Sequence, residues 1–156
     1  MKLSIVIPVY NEAHSIEKVI NAVKEVNINA EKEIIVVDDG SIDGTCQALD
    51  SIREKYGDIK ILRHEKNQGK GSALKTGFKN ASGDIIIIQD ADLEYDPKEY
   101  PNLLSPIVNH EADVVYGSRL SGGRTVRVYM FWHKAGNGFL TFLTNILYNT
   151  TVSDME

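Results

Sequence analysis

Three acids at alternate positions, Asp90, Asp92 and Glu94, follow an apolar run in the stretch QDADLEYDP at residues 89–97. Crowded carboxylates repel one another and raise their own pKa values unless a cation offsets them, so this spacing points to a hard divalent ion. No His or Cys lies in the stretch, and oxygen ligands alone favour Mg or Mn over Zn. Such an ion takes few ligands from a protein and completes its shell with water and substrate phosphates, which makes a nucleoside diphosphate a fitting ligand. An isolated Asp-x-Asp suits solvated loop residues or helix caps equally well, so the motif gains meaning only in company.

That company stands at the ends of other apolar runs. One run ends in Pro8, Val9, Tyr10, Asn11 and Glu12, where a period of two puts Pro8, Tyr10 and Glu12 on one side. Another ends in Val37, Asp38, Asp39 and Gly40, with Val37 and Asp39 together, and opens the loop DDGSIDGT at residues 38–45. Asp39 can accept hydrogen bonds from a ribose hydroxyl or a base edge, whereas Asp43 reads better as a turn cap. The stretch NQGKGSAL at residues 67–74 is a Gly-rich turn opening a helix, where backbone N–H groups and Lys70 can meet phosphate. It is neither a Walker A loop nor a G-x-G-x-x-G fingerprint, because Leu74 stands at the third Gly position. Arg119 follows a further run in Gly117-Ser118-Arg119, and its guanidinium suits either bidentate phosphate recognition or a surface ion pair.

The elements that must position these residues follow from hydrophobic periodicity. Five short runs rich in Ile and Val, at residues 3–9, 33–37, 59–62, 84–88 and 113–116, predict strands buried on both faces. Between them Ile16, Val19, Ile20, Val23 and Val26 repeat at helical spacing. Asp43 can cap a second helix through Thr45, Ala48, Leu49 and Ile52. A shorter, Gly-interrupted helix is predicted at residues 71–81, and Pro97 suits the first turn of one running to about residue 108. Alternating strands and helices imply an α/β fold with a mostly parallel central sheet. In such sheets ligands bind beyond the carboxyl ends of the strands, which is where every residue singled out above falls.

Composition narrows the partners. A chain of 156 residues holds about one domain, and 42% hydrophobic with 25% charged residues excludes a disordered tail, a collagen-like repeat or a coiled coil. Seventeen Lys and Arg against 22 Asp and Glu leave a formal charge of −5, without the basic surplus that drives binding to nucleic acid. The single cysteine, Cys46, can form neither an internal disulfide nor a multi-cysteine zinc site, which fits a reducing compartment and a structural role. The first apolar run is too short for a signal sequence, and no stretch reaches the ~20 consecutive apolar residues of a membrane span. Residues 126–147 are apolar and aromatic, with His133 and Lys134 inside and Gly136 and Gly138 as breaks. They read as a buried helix or as one lying in a membrane interface. Gly122, Gly123, Arg124 and Arg127 precede them as a short basic stretch, and an anionic group on a lipid would meet both features. The sequons at Asn80 and Asn149 are taken as chance matches.

PVYNE, DDGSIDGT, NQGKGSAL, QDADLEYDP, GSR and the terminal SDME occur in one order over essentially the whole chain. In this the sequence resembles the inverting family 2 glycosyltransferases of the GT-A fold, in their dolichol-phosphate mannosyltransferase-like, polyprenyl-phosphate branch. The resemblance implies a single catalytic domain over residues 1–156 with a Rossmann-like sheet, continuing in the family's chains beyond this point. It implies that Pro8, Tyr10, Glu12, Val37 and Asp39 surround the nucleoside of a GDP-mannose or UDP-glucose type donor. Asp90, Ala91 and Asp92 look like the DXD-type motif, with Asp92 and Glu94 near Mg or Mn and the diphosphate. Mannosyltransferases of this type often carry Gln where this chain has Glu94, whose carboxylate can still ligate a metal. By similarity Arg119 contacts phosphate and Asp154 stands on the acceptor side.

The acceptor so implied is a polyprenyl phosphate, reached by a cytoplasmic enzyme lying peripherally on the membrane face. Its anionic oxygen needs no strong base, so Asp154 would position it, whereas with a saccharide hydroxyl Asp154 would be the candidate base. A module that binds nucleotide sugar without turnover is the alternative. A receiver-type domain would need its acid pair after the first strand, and a nucleotidyltransferase would open on a Gly- and Arg-rich loop; this chain has neither.

Overall fold

The run Lys-Leu-Ser-Ile-Val-Ile-Pro-Val has no polar alternation beyond Ser4, and only a strand covered on both sides accommodates such a sequence. The computed structural model, which describes residues 1–117 and 131–148, places it as β1 (Lys2–Val9) in the interior of a four-stranded parallel sheet. β2 (Glu31–Asp38), β3 (Ile59–Arg63) and β4 (Ile85–Ile88) complete the order β3-β2-β1-β4. Register sets Ile5 between Ile34 and Ile87, and aligns Val9 with Asp38 and Asp38 with Arg63. The chain winds outward from β1 to β3 and then crosses back to β4, so the order reverses between β1 and β4. Such a switch point leaves a crevice at the carboxyl ends, since the loops on either side run apart.

Pro8 marks the point where the strands part. The carbonyls of Lys2 and Val6 face β4, accepting from Asp84 N at 2.8 Å and Gln89 N at 3.0 Å, while Val9 O accepts from Asp39 N at 2.8 Å on the β2 side. By alternation Pro8 faces β4, where pairing has already ended at Val6 with Ile88, and its missing N–H breaks no ladder.

Helices cover this sheet as their periodicity requires. α1 (Ile16–Glu25) buries Ile16, Val19, Ile20 and Val23, and its end is held by Lys32, whose Nζ donates to the carbonyls of Val23, Lys24 and Val26 at 2.9, 2.7 and 2.6 Å. Burial, and then the charge of Lys24, lowers the pKa of Lys32. α2 (Thr45–Tyr56) has Gly44 at its N-cap, and Asp43, one residue earlier, closes the turn before the helix by accepting from Thr45 N at 2.9 Å on Oδ1, the turn-capping use expected of it and not the helix N-cap. α3 (Lys70–Asn80) lies against β1 at Gly77, where an added Cβ would stand 2.3 Å from Val6 Cγ1. α4 (Tyr100–Val108) follows a 3-10 turn begun by Pro97, and α5 spans Phe131–Tyr148.

By internal packing the chain divides into two compact units, Met1–Asn102 and Leu103–Glu156, and the sheet belongs to the first. In the second, α5 leaves Phe139, Phe142, Ile146 and Leu147 more than half exposed. No helix among the described residues is long and apolar enough to cross a membrane.

Two expectations are corrected. Residues 113–116 form no strand, and Val114 and Tyr116 are 64% and 75% exposed. A strand exists only as a member of a ladder, and among the described residues this short run has none to join. Among the described residues β4 is covered on one face only: it alternates, with Ile86 and Ile88 exposed, despite an all-Ile sequence that predicts burial on both faces.

Candidate functional site

The crevice at the switch point is a cleft of about 280 Å³, lined on the β1 side by Pro8, Val9, Tyr10 and Glu12 and on the β4 side by Asp90, Ala91 and Asp92. Asp39 after β2, with Asn67, Gly69, Lys70 and Ala73 around the start of α3, closes the remaining wall. Residues from four separate stretches thus meet at one place, and all lie within Met1–Asn102.

Each stretch is held by its own hydrogen bonds. Beyond β1, Asn11 takes a left-handed conformation (φ 58°); its N–H donates to Ser41 Oγ and its Oδ1 accepts from Ile42 N, both at 2.9 Å. Glu12 N donates to Thr45 Oγ1 at 2.9 Å, while the Ser15 hydroxyl donates to the Glu12 carboxylate. Buried Asp38 braces the next loop, accepting from Ser41 N and from the Cys46 thiol, each at 3.0 Å. That hydrogen bond, with burial and the Asp38 charge, pushes the Cys46 thiol pKa up, which agrees with a structural role. Gly40 is required where this loop meets the next: its φ is +73°, and a Cβ there would lie 2.5 Å from the Lys66 carbonyl carbon.

Asp39 is the most engaged of the cleft carboxylates. It accepts from Gly69 N at 2.7 Å and from Gln68 N at 3.1 Å to both oxygens, and it pairs with His64 Nδ1 at 2.6 Å. Much of its acceptor capacity is therefore spent inside the protein, a use the sequence spacing does not reveal. Lys70 reaches across the cleft to Asp90 Oδ1 at 2.6 Å, so the acidic rim carries a protein cation.

The acids after β4 do not follow the extended alternation expected of them. β4 ends at Ile88, a turn covers Ala91 and Asp92, and Leu93 is left-handed at φ 65°. Asp92 Oδ1 accepts from Glu94 N at 3.0 Å within that turn. Asp90 and Asp92 line the cleft, and Glu94 does not, because a turned backbone no longer puts every second side chain on one side. Val37 also lies off the cleft wall, wholly buried beside Ile35 and Ala73 in the core beneath it. Arg119, Asp154 and the basic stretch at residues 122–127 lie outside the described residues.

Gln89 carries no obvious chemistry in the sequence, yet it organises this turn. Fully buried, it donates from Nε2 to the carbonyls of Asp90 and Tyr95 at 3.0 Å each, and its Oε1 accepts from the Tyr100 hydroxyl at 2.7 Å. Burial pushes the Tyr100 phenol pKa up, so it remains a donor. A polar residue closing an apolar run is the only signal that could have marked Gln89, and the same holds for His64 after β3. Val9 and Ala73 in the wall carry no signal at all.

The donor set suits a hard cation. The lining offers carboxylates, an amide and Lys70 but neither His nor Cys, which favours Mg or Mn over Zn. Among the described residues no three His, Cys, Asp or Glu side chains gather closely enough to cage a metal. The residues therefore fit an ion held by one or two carboxylates, with diphosphate oxygens and water as its other ligands.

Comparison with known proteins agrees with this architecture. The family model described as Glycosyl transferase family 2 matches residues 4–154. A dolichol-phosphate mannosyltransferase of Pyrococcus furiosus is 37% identical over 134 residues, covering 86% of this chain and 38% of that protein. A UDP-N-acetylglucosamine–dolichyl-phosphate N-acetylglucosaminyltransferase of Methanococcus voltae is 30% identical, covering 97% of this chain and 65% of that protein. The chain thus spans between about a third and two thirds of the curated relatives it matches. Among solved structures, the mannosyltransferase PcManGT from Pyrobaculum calidifontis in complex with GDP-Man and Mn2+ superposes with a TM-score of 0.56 at 31% identity, over 62% of this chain and 29% of that one. S. aureus TarS 1-349 gives a TM-score of 0.63 at 28% identity, over 84% of this chain and 40% of that one. With a match from the third residue of β1 to residue 154, and with the parallel sheet and strand-end cleft found here, the chain belongs to glycosyl transferase family 2.

Proposed function

We propose that the cleft binds a nucleoside diphosphate sugar with Mg or Mn and that the sugar is transferred, with inversion, to a polyprenyl phosphate at a membrane surface. The observation that carries this reading is the meeting of Asp39, Asp90, Asp92 and Lys70 in one cleft at the switch point of a parallel sheet. The relatives named for dolichyl-phosphate acceptors, and the neighbour solved with GDP-Man and Mn2+, support the donor and acceptor classes. The apolar residues exposed on α5 support contact with a lipid surface.

In this reading Pro8, Tyr10, Glu12 and Asp39 bound the nucleoside end, with Val37 supporting them from below. Asp90 and Asp92 hold the ion, Ala91 between them lets the diphosphate approach the turn, and Glu94 reaches the metal only if the turn rearranges. A divalent ion bound there supplies charge that offsets the negative charge growing on the departing nucleotide. Lys70, paired with Asp90 at the cleft, is placed to meet diphosphate oxygens. Arg119 contacts phosphate and Asp154 orients the acceptor, as the family resemblance implies.

The test is calorimetric titration of UDP and of GDP with and without Mn. Metal-dependent binding of at least one is expected in the wild type. Asp92→Ala should lose it while keeping its melting temperature, because the side chain is exposed. Unchanged affinity in that variant would remove Asp92 from the site. Thermal stabilisation by a panel of UDP- and GDP-sugars would then identify the donor, since a ligand that binds only the folded state raises its stability by mass action.

A further inference from the structure

Behind the cleft wall stands a side chain that the proposed chemistry does not use. His64, just beyond β3, places Nδ1 2.6 Å from Asp39 Oδ1 and Nε2 2.9 Å from Thr76 Oγ1. Both members of the first pair are shielded, the imidazole side chain 10% and the carboxylate 4% exposed. An ionised carboxylate only accepts, so the proton lies on Nδ1, and in the neutral ring Nε2 accepts from the Thr76 hydroxyl. One imidazole therefore joins the ends of β2 and β3 to the second turn of α3. The carboxylate it fixes also takes the N–H groups of Gln68 and Gly69, the two residues immediately before Lys70.

We propose that His64 is a positioning residue for nucleotide binding. By fixing Asp39 between β3 and α3 it holds the turn at residues 67–70, and with it Lys70, in the geometry that receives a nucleoside diphosphate. The inference rests on the function proposed above and adds a residue to it. Asp39 then serves the nucleoside end and, through Gln68 and Gly69, also presents backbone and cation, and His64 is what makes that carboxylate rigid. Thr76, on the far side of the ring, fixes the ring plane, so the assembly has two removable anchors.

The experiment measures the calorimetric Kd of the 156-residue chain for UDP and GDP in Mn, with the melting temperature of the ligand-free protein beside it. His64→Ala is expected to weaken binding about tenfold, the scale of one hydrogen bond to a charged group. His64→Asn, whose side-chain amide can donate near the position of Nδ1, is expected to recover most of that loss. Thr76→Val, which keeps the shape of the residue, is expected to weaken binding about threefold. A lowered melting temperature with unchanged Kd in His64→Ala, or an Asn variant binding no better than the Ala variant, would overturn the proposal and leave the proposed function standing. A wild type that binds neither nucleotide overturns both. If His64→Ala does not fold, nitrogen chemical shifts of the wild-type imidazole decide. Protonated Nδ1 is expected, and a ring protonated only at Nε2 is incompatible with the pairing.

Discussion

Asp39, Asp90 and Asp92 share a cleft but are tethered by different means: backbone N–H groups and an imidazole, a lysine, and a turn N–H respectively. Lys70 is more than half exposed, and exposed ion pairs contribute about 0–1 kcal/mol. Lys70→Ala is therefore expected to leave the urea midpoint nearly unchanged while weakening nucleoside diphosphate binding; a large fall in stability with intact binding would make the pair structural. Gly40→Ala, by contrast, is expected to lower stability. A Cβ there meets the backbone of Lys66 and Asn67 at 2.5 to 2.7 Å in a left-handed conformation, so about 2 kcal/mol or more should be lost in denaturant unfolding. The residue types of the site were legible because carboxylates after apolar runs are conspicuous. The partners were not, since nothing in the spacing of Asp39 and His64 says that a carboxylate will be bound by a ring 25 positions on.

At the scale of elements, the periodicity of the sequence predicted four of the strands and the helices beside them, because covered strands and amphipathic helices impose repeats of two and 3.6 on hydrophobicity. It failed at residues 113–116, where strand character depends on a neighbour and not on composition, and at residues 90–94, where a left-handed Leu93 cancels the alternation. That turn hangs on Gln89. Gln89→Leu is expected to cost about 2–3 kcal/mol by leaving the Tyr100 hydroxyl buried without its partner, and to weaken metal-dependent nucleotide binding through the loosened Asp90 and Asp92. Tyr100→Phe should cost less and leave affinity closer to wild type, since Gln89 keeps both of its donor bonds. Equal losses of affinity in the two variants would place the control of the turn elsewhere.

The sheet-bearing unit has two poles. The cleft occupies the carboxyl ends of the strands, and the opposite end is tied by Glu33, which accepts from Ser4 Oγ at 2.5 Å, from Ser82 N at 2.8 Å and Ser82 Oγ at 2.7 Å, and from Lys2 Nζ at 3.4 Å. Burial pushes the Glu33 pKa up, but the bonds from Ser4, Ser82 and Lys2 outweigh it and bring it down from 4.5 to about 2. A carboxylate depressed in the folded state adds stability that is complete above its unfolded pKa and lost as pH falls through its folded one. Stability should therefore decline between about pH 4.5 and 2, and Glu33→Gln should flatten that decline while leaving nucleotide affinity at neutral pH intact. An acid titration with the same slope in both proteins would assign the loss to other groups.

Pro8 gives the molecule one property that none of its side-chain carboxylates could. Two adjacent parallel strands tend to zip along their full length, and during folding β1 and β4 would gain by continuing past Val6 and Ile88. A proline at the next β4-facing position has no hydrogen to offer, so a ladder extended past Val6 would lack one bond there. The gap beyond the last β1–β4 pair thus carries, in a covalent ring, a standing cost against being closed by backbone alone, which a residue with an N–H would not impose.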